Sequence, residues 1–465
     1  MTSFLSKLAR LPPSGVGVVG RGVVADPTLR ATSEPRTATL PPQAIASVSN
    51  LARSGGGTSG GLTVVRPTLD ELRDRIAKIV GRSAPSERDS GARARSVLPF
   101  VAEDTELGPL HVHRRHTPPA ARAGRFPLIA ARDADMGMLA LLALDPSLAR
   151  CNARRALFVD TETTGLAGGT GTVPFLLGLA WFDDVAGTFV VEQALLRQLG
   201  EEASILALFA KRVAAADLIV TYNGKAFDLP LLRTRYVMNR LRAPQEPPHL
   251  DLVHVVRRIH RPRIKVCTLV TVESEVLGRE RIGDVSGADI VAAYGHFLRT
   301  GDDQALAGVI EHNEADVLSM VALLGLYGEP VATPEIACAD SPTGLSGSDL
   351  AGVARTLKRA GALDEAERVA EAAVRRAGGA NAYRIRGDIA KARGDKARAL
   401  ADYERLASEV DDPTLRLELA KLYEHYMGAF SLALSVVDRG TGEGHAAIAH
   451  RRHRLERKLT RSRRS

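Results

Sequence analysis

Nowhere does the sequence stay apolar for the roughly 18 residues a membrane span requires. Its longest such stretch, 173–182, falls well short, so no association with a membrane is expected. Cysteine is scarce: Cys151, Cys267 and Cys338 are odd in number, with neither metal-ligand spacing nor a disulfide framework. A reducing, cytoplasmic setting follows. The first 24 residues lack the long apolar core of a secretory signal. They fit an organelle transit peptide loosely and read better as disordered. The glycine-rich piece "LAGGTGTVP" lacks the Gly-Lys-Ser/Thr ending of a P-loop, and no helix follows it. It is expected to turn the chain between two strands, near enough to a site for its backbone N–H groups to meet a substrate.

What is present is length and uneven charge. The 465 residues, 45% of them hydrophobic, are too many for one ordinary domain. The net charge of +8 belongs to the ends: residues 451–465 carry +7 and residues 1–60 carry +4, which leaves −3 for the body. A basic tail can draw a chain towards nucleic acid without reading its sequence, or can simply be solvated.

Composition divides the chain. Residues 1–66 are rich in Gly, Pro, Ser and Thr and read as disordered. Residues 67–150 read as a helical or irregular lead-in, with helices at 67–82 and at 133–144, the second capped by Asp133. Residues 151–330 carry an α/β pattern: strands at 156–160, 173–182, 188–196, 218–222 and 249–254, and helices at 201–215, 227–239, 269–277, 287–299 and 302–326. Three meandering strands followed by strands that alternate with helices predict a mixed sheet flanked by helices. From 349 to 445 the texture is Ala, Leu, Arg and Glu. Gly361, Gly394 and Gly428 recur at intervals of 33 and 34, each followed five residues later by Ala366, Ala399 or Ala433. That period predicts tetratricopeptide-like helical hairpins, three being about the minimum for a stable stack. Residues 446–465 read as a basic tail.

Four acids stand out. Asp160 and Glu162 in "FVDTETTG" are two apart, so they share one face of a strand, at its C-terminal end. Asp228 follows a buried strand and a Tyr222-Asn223-Gly224 turn. Asp316 lies on an amphipathic helix in "EHNEADVLSM". Taken singly, each has an ordinary reading as a helix cap or a solvated polar residue. Taken together, converging carboxylates need a counter-charge, because each raises the pKa of the others. Oxygen-only ligands suit two Mg²⁺ or Mn²⁺ ions, about 3.5–4 Å apart in phosphodiester hydrolysis.

The stretches "DTETTG", "TYNGKAFDLPLL" and "HNEADV" resemble the three motifs of the DEDD superfamily of 3′–5′ exonucleases, which have a ribonuclease H-like fold. More narrowly, residues 157–326 resemble the YprB-type ribonuclease H-like domain, through "DTETTGLAGGTGTVPFLLGLAWF", "TYNGKAFDLPLLRTRYVMNR", "TLVTVESEVLG", "FLRTGD" and "EHNEADVLSM". Such domains are often joined to tetratricopeptide-like repeats. The resemblance implies metal ligation by Asp160, Glu162, Asp228 and Asp316. Superfamily members place a Tyr four residues, or a His five residues, before the last Asp; here His312 stands four before Asp316. On a helix that spacing shares a face, so His312 can reach the site as a base or serve as a structural hydrogen-bond partner. Asp251 reads as a supporting group or a helix cap, and Glu314 as solvent-facing. Asn223 and Phe227 are candidate substrate contacts. Arg258 and Lys265, in the basic run "HVVRRIHRPRIK", are candidate phosphate contacts on a loop after the fifth strand.

The expected function is a metal-dependent 3′–5′ exonuclease acting on single-stranded DNA or RNA. Two other functions remain open at this stage: a non-catalytic nucleic-acid-binding scaffold that recruits a protein through its repeats, and a structure-specific endonuclease.

Overall fold

The computed structural model describes residues 96, 98–118, 120–165, 171–329 and 344–464. The expected disorder over 1–66, the helix at 67–82 and the glycine turn at 166–170 lie outside these residues. Among the described residues no helix is long and apolar enough to cross a membrane.

Strands β1 (Val101–Thr105) and β2 (Gly108–Thr117) form a hairpin, and β3 (Arg122–Ala123) pairs with β4 (Phe126–Pro127). Helix α1 (Met136–Ala143) follows, then β5 (Ala156–Thr163), β6 (Pro174–Asp183) and β7 (Thr188–Leu195). Helix α2 (Glu202–Ala214), β8 (Leu218–Thr221), α3 (Asp228–Met238), β9 (His249–Asp251) and α4 (Leu252–His260) alternate. The short α5 (Leu269–Val272) runs into a π-turn at Glu273–Leu277, before α6 (Gly287–Thr300) and α7 (Leu306–Gly328). The seven-stranded sheet has the order β1-β2-β7-β6-β5-β8-β9. Pairing is antiparallel from β1 to β5 and parallel across β5, β8 and β9. This is the mixed sheet that the sequence pattern predicts.

Side-chain alternation sorts the strands between two cores. Leu157, Val159, Leu179 and Ile219 pack with α2, α3 and α6, whereas Ala156, Phe158, Ala180 and Val220 pack with α1, α4 and the later helices. Helix α7 serves both cores. Its Leu306, Val309 and Ile310 belong to the first and Val317, Met320 and Val321 to the second.

Several expectations need correction. The lead-in contributes two strands to the main sheet. Only Leu110, Val112 and Thr117 of β2 are buried, and its run of His and Arg hides the strand pattern that an edge hairpin needs. The helix expected from 133 starts at Met136, because Asp135 caps it by accepting from the Gly137 and Met138 amides at 2.8 and 3.2 Å, while Asp133 ends a 3-10 turn over Leu128–Asp133. The fifth strand stops at Asp251, which caps α4 and accepts from the Val253 amide at 3.2 Å. Arg257 and Arg258 therefore stand on a helix, not on a loop.

The C-terminal region is helical. Helices α8 (Gly347–Arg359) and α9 (Leu363–Arg375), α10 (Gly379–Arg393) and α11 (Lys396–Ala407), and α12 (Pro413–Leu422) and α13 (Phe430–Asp438) form three hairpins. Gly361, Gly394 and Gly428 take positive φ at the three turns, and Ala366, Ala399 and Ala433 are fully buried. The recurrence seen in the sequence is thus one left-handed turn and one tight helix contact, repeated. The basic tail is instead helix α14 (His445–Ser462). It is held by Arg454 and Lys458 on the buried Glu424 and by Arg451 on Glu443.

A buried polar cluster joins the sheet domain to the first hairpin. Asp349, in the capping box of α8 with Ser346, lies 2.7 Å from Nδ1 of His260 and 3.1 Å from Nη2 of Arg263. Nε2 of His260 lies 2.8 Å from the Tyr327 hydroxyl. Burial alone would raise the Asp349 carboxyl, but His260, Arg263 and Ser346 outweigh it and hold the group well below its ordinary 3.8. Asp349→Ala is expected to cost about 3 kcal/mol, as for a buried pair that loses one partner. A depressed folded pKa stabilises above the unfolded value and is lost as pH falls through the folded one. The gap between variant and parent in thermal unfolding should stay constant down to pH 3.8 and close below it.

Candidate active site

The C-terminal end of β5 carries Asp160 and Glu162, with a register shift between Glu162 and Thr163 where β5 leaves β6. Helix α7 packs against β5, β6 and β7, and between its two apolar ends it presents His312, Asn313 and Asp316 to this edge. Asp228 arrives from the turn after β8 and opens α3. The four expected acids thus come from three elements and lie in one another's field.

Their titration reflects this. Burial, then Asp316, Glu162 and Asp228, push Asp160 well above the ordinary carboxylate range, against one hydrogen bond from Asn313. Burial raises Glu162 to about 7; His312 opposes the shift, and Asp316 and Asp228 add to it. Burial raises Asp228 to about 6, although the Thr161 hydroxyl donates to it. Burial also raises Asp316, opposed by Arg281 and His312.

Three of the acids, Asp160, Asp228 and Asp316, have holders that the sequence reading did not single out. Asn313 spans a row of three strands: Gln193, Gly178 and Asp160 stand side by side on β7, β6 and β5. Asn313 lies over Gly178, donating to Asp160 at 2.7 Å and accepting from Gln193 at 2.9 Å. A Cβ on residue 178 would sit 2.2 Å from the Asn313 amide oxygen, so only glycine leaves room for this bridge. Arg281 is bidentate to the fully buried Glu273, at 2.5 and 2.8 Å, and pairs with Asp316. Glu273 and Arg281 are opposite charges near the "TLVTVESEVLG" stretch, a signal that could have been read. Asp284, in an ordinary-looking loop, offered none.

His312 lies among these groups. Its Nε2 is 3.6 Å from Asp316 and 3.9 Å from Glu162. Its Nδ1 is 2.6 Å from Asp284 and 3.1 Å from Nη1 of Arg281. A guanidinium only donates and a carboxylate only accepts, so the two contacts ask opposite roles of Nδ1. The shorter one, to the carboxylate, assigns a proton to Nδ1, and Nε2 faces the acids.

The remaining candidates separate. Asp251 is a supporting group. Its carboxylate accepts from the amides of Asn223 at 2.7 Å and Lys225 at 3.0 Å as well as capping α4. This holds Asn223 at φ 69 and fixes the turn that delivers Asp228. Phe227 is 58% exposed beside the buried Asp228, so its ring is not core. Glu314 is paired with Arg115 of β2 at 2.7 Å rather than free in solvent. Arg258 is half-buried and donates from Nη1 to the Leu142 carbonyl at 3.3 Å. Lys265 is exposed, past the end of α4.

The site's fit to metal ions can be judged on its donors. Among the described residues no group of three His, Cys, Asp or Glu side chains is set to hold an ion as it stands. Asp316 is turned to Arg281, Asp228 to Thr161 and Asp160 to Asn313. The chemistry of the set nevertheless suits a hard divalent cation: all donors are carboxylate oxygens, crowded and short of positive charge. Asp251→Ala is expected to speed amide exchange at Asn223 and Lys225 about tenfold, the loss of one charge-assisted hydrogen bond each. Amides of β5 should keep their protection. Equal exchange in both proteins would show that the turn holds itself.

Residues 157–327 match the family model described as RNase_H superfamily. Over 174 residues the chain is 42% identical to the uncharacterized protein YprB of Bacillus subtilis (strain 168), a match that takes in 37% of this chain and 41% of that protein. The chain therefore covers less than half the length of this relative. The segment that matches the RNase_H superfamily model contains all four clustered acids.

Proposed function

We propose that this domain hydrolyses phosphodiester bonds as a 3′–5′ exonuclease on single-stranded DNA or RNA. The superfamily match supports a nuclease-type activity and a nucleic-acid substrate. The observation that carries the finer reading is the meeting of Asp160, Glu162, Asp228 and Asp316 beside an imidazole whose far nitrogen is backed by Asp284.

In this reading Asp160, Glu162, Asp228 and Asp316 would hold two Mg²⁺ or Mn²⁺ ions, for which Asp316 would have to exchange its pairing with Arg281. Bound there, such ions would offset the charge of the phosphate and of the attacking and leaving oxygens. The protein's own groups do the rest. Nε2 of His312 takes a proton from the attacking water, and Asp284 keeps the ring in that tautomer and stabilises the imidazolium that results. Asn313 fixes the direction of Asp160. The Asn223 side chain meets a phosphate or base edge and the Phe227 ring stacks on a base. The C-terminal hairpins, read as tetratricopeptide-like repeats, offer a surface to a protein partner.

Purified protein with Mn²⁺ or Mg²⁺ should shorten a 5′-labelled oligonucleotide that has a free 3′ end, with DNA and RNA run side by side. Asp160→Asn should abolish the shortening, and His312→Ala should slow it about 10²- to 10⁴-fold, the usual worth of a general base. A circular single strand should stay intact; cutting it would overturn the exonuclease assignment.

A second expectation follows from the raised acids. A group whose folded pKa lies above its unfolded one stabilises below the unfolded value, and that contribution is lost as pH rises through the folded value. The metal-free protein should therefore lose stability between pH 4.5 and about 7 through Glu162. Glu162→Gln should raise the thermal midpoint above pH 7 without metal. Millimolar Mn²⁺ should raise the midpoint of the parent and leave the variant nearly unmoved. No response of the parent to Mn²⁺ would sink the metal assignment.

A further inference from the structure

Asp251 couples two surfaces. Because one carboxylate holds the amides of Asn223, Lys225 and Val253, the turn before Asp228 and the first turn of α4 form a single rigid unit next to the acids. The inner side of α4 is apolar, with Val255, Val256 and Ile259 fully buried. Its outer side carries the exposed His254, Arg257 and Arg261, spaced three and four apart and so in one line. Lys225 is exposed on the adjoining turn, one residue beyond Gly224 and two before Phe227. Burial holds the His254 imidazole below its ordinary value, and the charges of Arg258, Lys225 and Arg257 add to this against the pull of Asp251. The turn and the helix therefore share one electrostatic neighbourhood.

These cations are uncommitted. Among the described residues Lys225, Arg257, Arg261 and Lys265 have no ion-pair partner. Their neighbours differ: Arg263 is taken by Asp349 and Glu275, and Arg258 by the Leu142 carbonyl. A cluster of four carboxylates repels a polyanion, so a strand can stay beside it only if cations hold it nearby. The 58% exposed Phe227 ring lies in the chain between Lys225 and the buried Asp228, and an exposed aromatic ring can stack on an unpaired base.

We infer that the 223–227 turn and the outer line of α4 form a track for single-stranded nucleic acid, with Phe227 stacking a base beside the acids and Lys225, Arg257 and Arg261 holding backbone phosphates on the 5′ side of it. The line from His254 to Arg261 is about 10 Å long at 1.5 Å per residue, room for two or three phosphates. The identity of the polyanion and the 5′ direction rest on the nuclease reading above. The track supplies no sequence preference, since phosphate contacts position a strand and stacking accepts every base.

The test is binding of the full chain, in EDTA, to a 5′-fluorescein single strand of about 15 nucleotides, followed by anisotropy across a salt series. Lys225→Glu/Arg257→Glu/Arg261→Glu should weaken binding about tenfold or more near 0.1 M salt. It should also lower the slope of log K against log salt by about 2, three phosphates at about 0.7 each. Phe227→Ala should weaken binding about fivefold or more with an unchanged slope, as a stacking contact does. Arg457→Glu/Arg463→Glu/Arg464→Glu, on α14 and just past its end, makes the same change in net charge and should weaken binding less than about threefold. An unchanged slope in the α4 variant, an equal loss in the α14 variant, or equal competition by polyglutamate at matched charge would overturn the track. Because cleavage is absent from this assay, a chain that binds as described and yet shortens nothing with Mn²⁺ would keep the track and remove the nuclease reading.

Discussion

Like charge withdrawn from water is the constraint around which this domain is arranged. Asp160, Glu162, Asp228 and Asp316 raise one another's proton affinity, and burial raises it further. Such a cluster persists in a fold only if other groups offset its cost. Asn313 holds Asp160, Thr161 holds Asp228, and the Glu273–Arg281 pair holds Asp316. His312 stands within 4 Å of two of the acids and is itself steadied by Asp284. The polar groups near the site are therefore one network, and the chemistry available to it depends on how that network redistributes when a cation or a phosphate arrives.

The backbone is cut to fit the network. Gly178 is bare because Asn313 must lie on β6 to reach from Gln193 to Asp160. Asn223 adopts a left-handed conformation because Asp251 draws two successive parts of the turn onto one carboxylate. Such features are tolerable where surrounding interactions over-determine them, and they mark the places where the fold serves the site rather than its own stability. Helix α7 shows the same priority. Its ends belong to opposite cores, and its polar middle falls where it passes the strand ends.

The C-terminal hairpins are fastened to the sheet domain, not strung from it. His260, Asp349 and Tyr327 are all at least 98% buried and bond in a chain between α4, α8 and the end of α7. Since α4 carries both this latch and the basic line, the first hairpin is fixed relative to any strand that lies along the helix. The basic segment at the C-terminus is likewise a structural helix. One side of it is committed to Glu424 and Glu443, which leaves only part of its charge facing outward.

Much of this was legible in the residues. The strands β5 to β8 and most of the long helices follow from apolar runs and periodicity, and the hairpins follow from glycines recurring at 33 and 34 residues. The acids were legible because two of them share a strand face and the others sit in motifs whose order resembles a known set. Edge strands β1 and β2 were not, since a half-solvated hairpin rich in His and Arg lacks a clean alternation. Arg258 and Glu314 were misplaced because sequence spacing gives a residue's position but not what its side chain meets across the fold. By itself the sequence determined which groups are acidic, which segments must be buried and where the chain repeats, because these are properties of local pattern. Only the tertiary structure decided that Asn313, Arg281, Asp284 and Asp251 support the acids. Hydrogen bonds and ion pairs between residues as much as 153 positions apart leave no local trace in the chain.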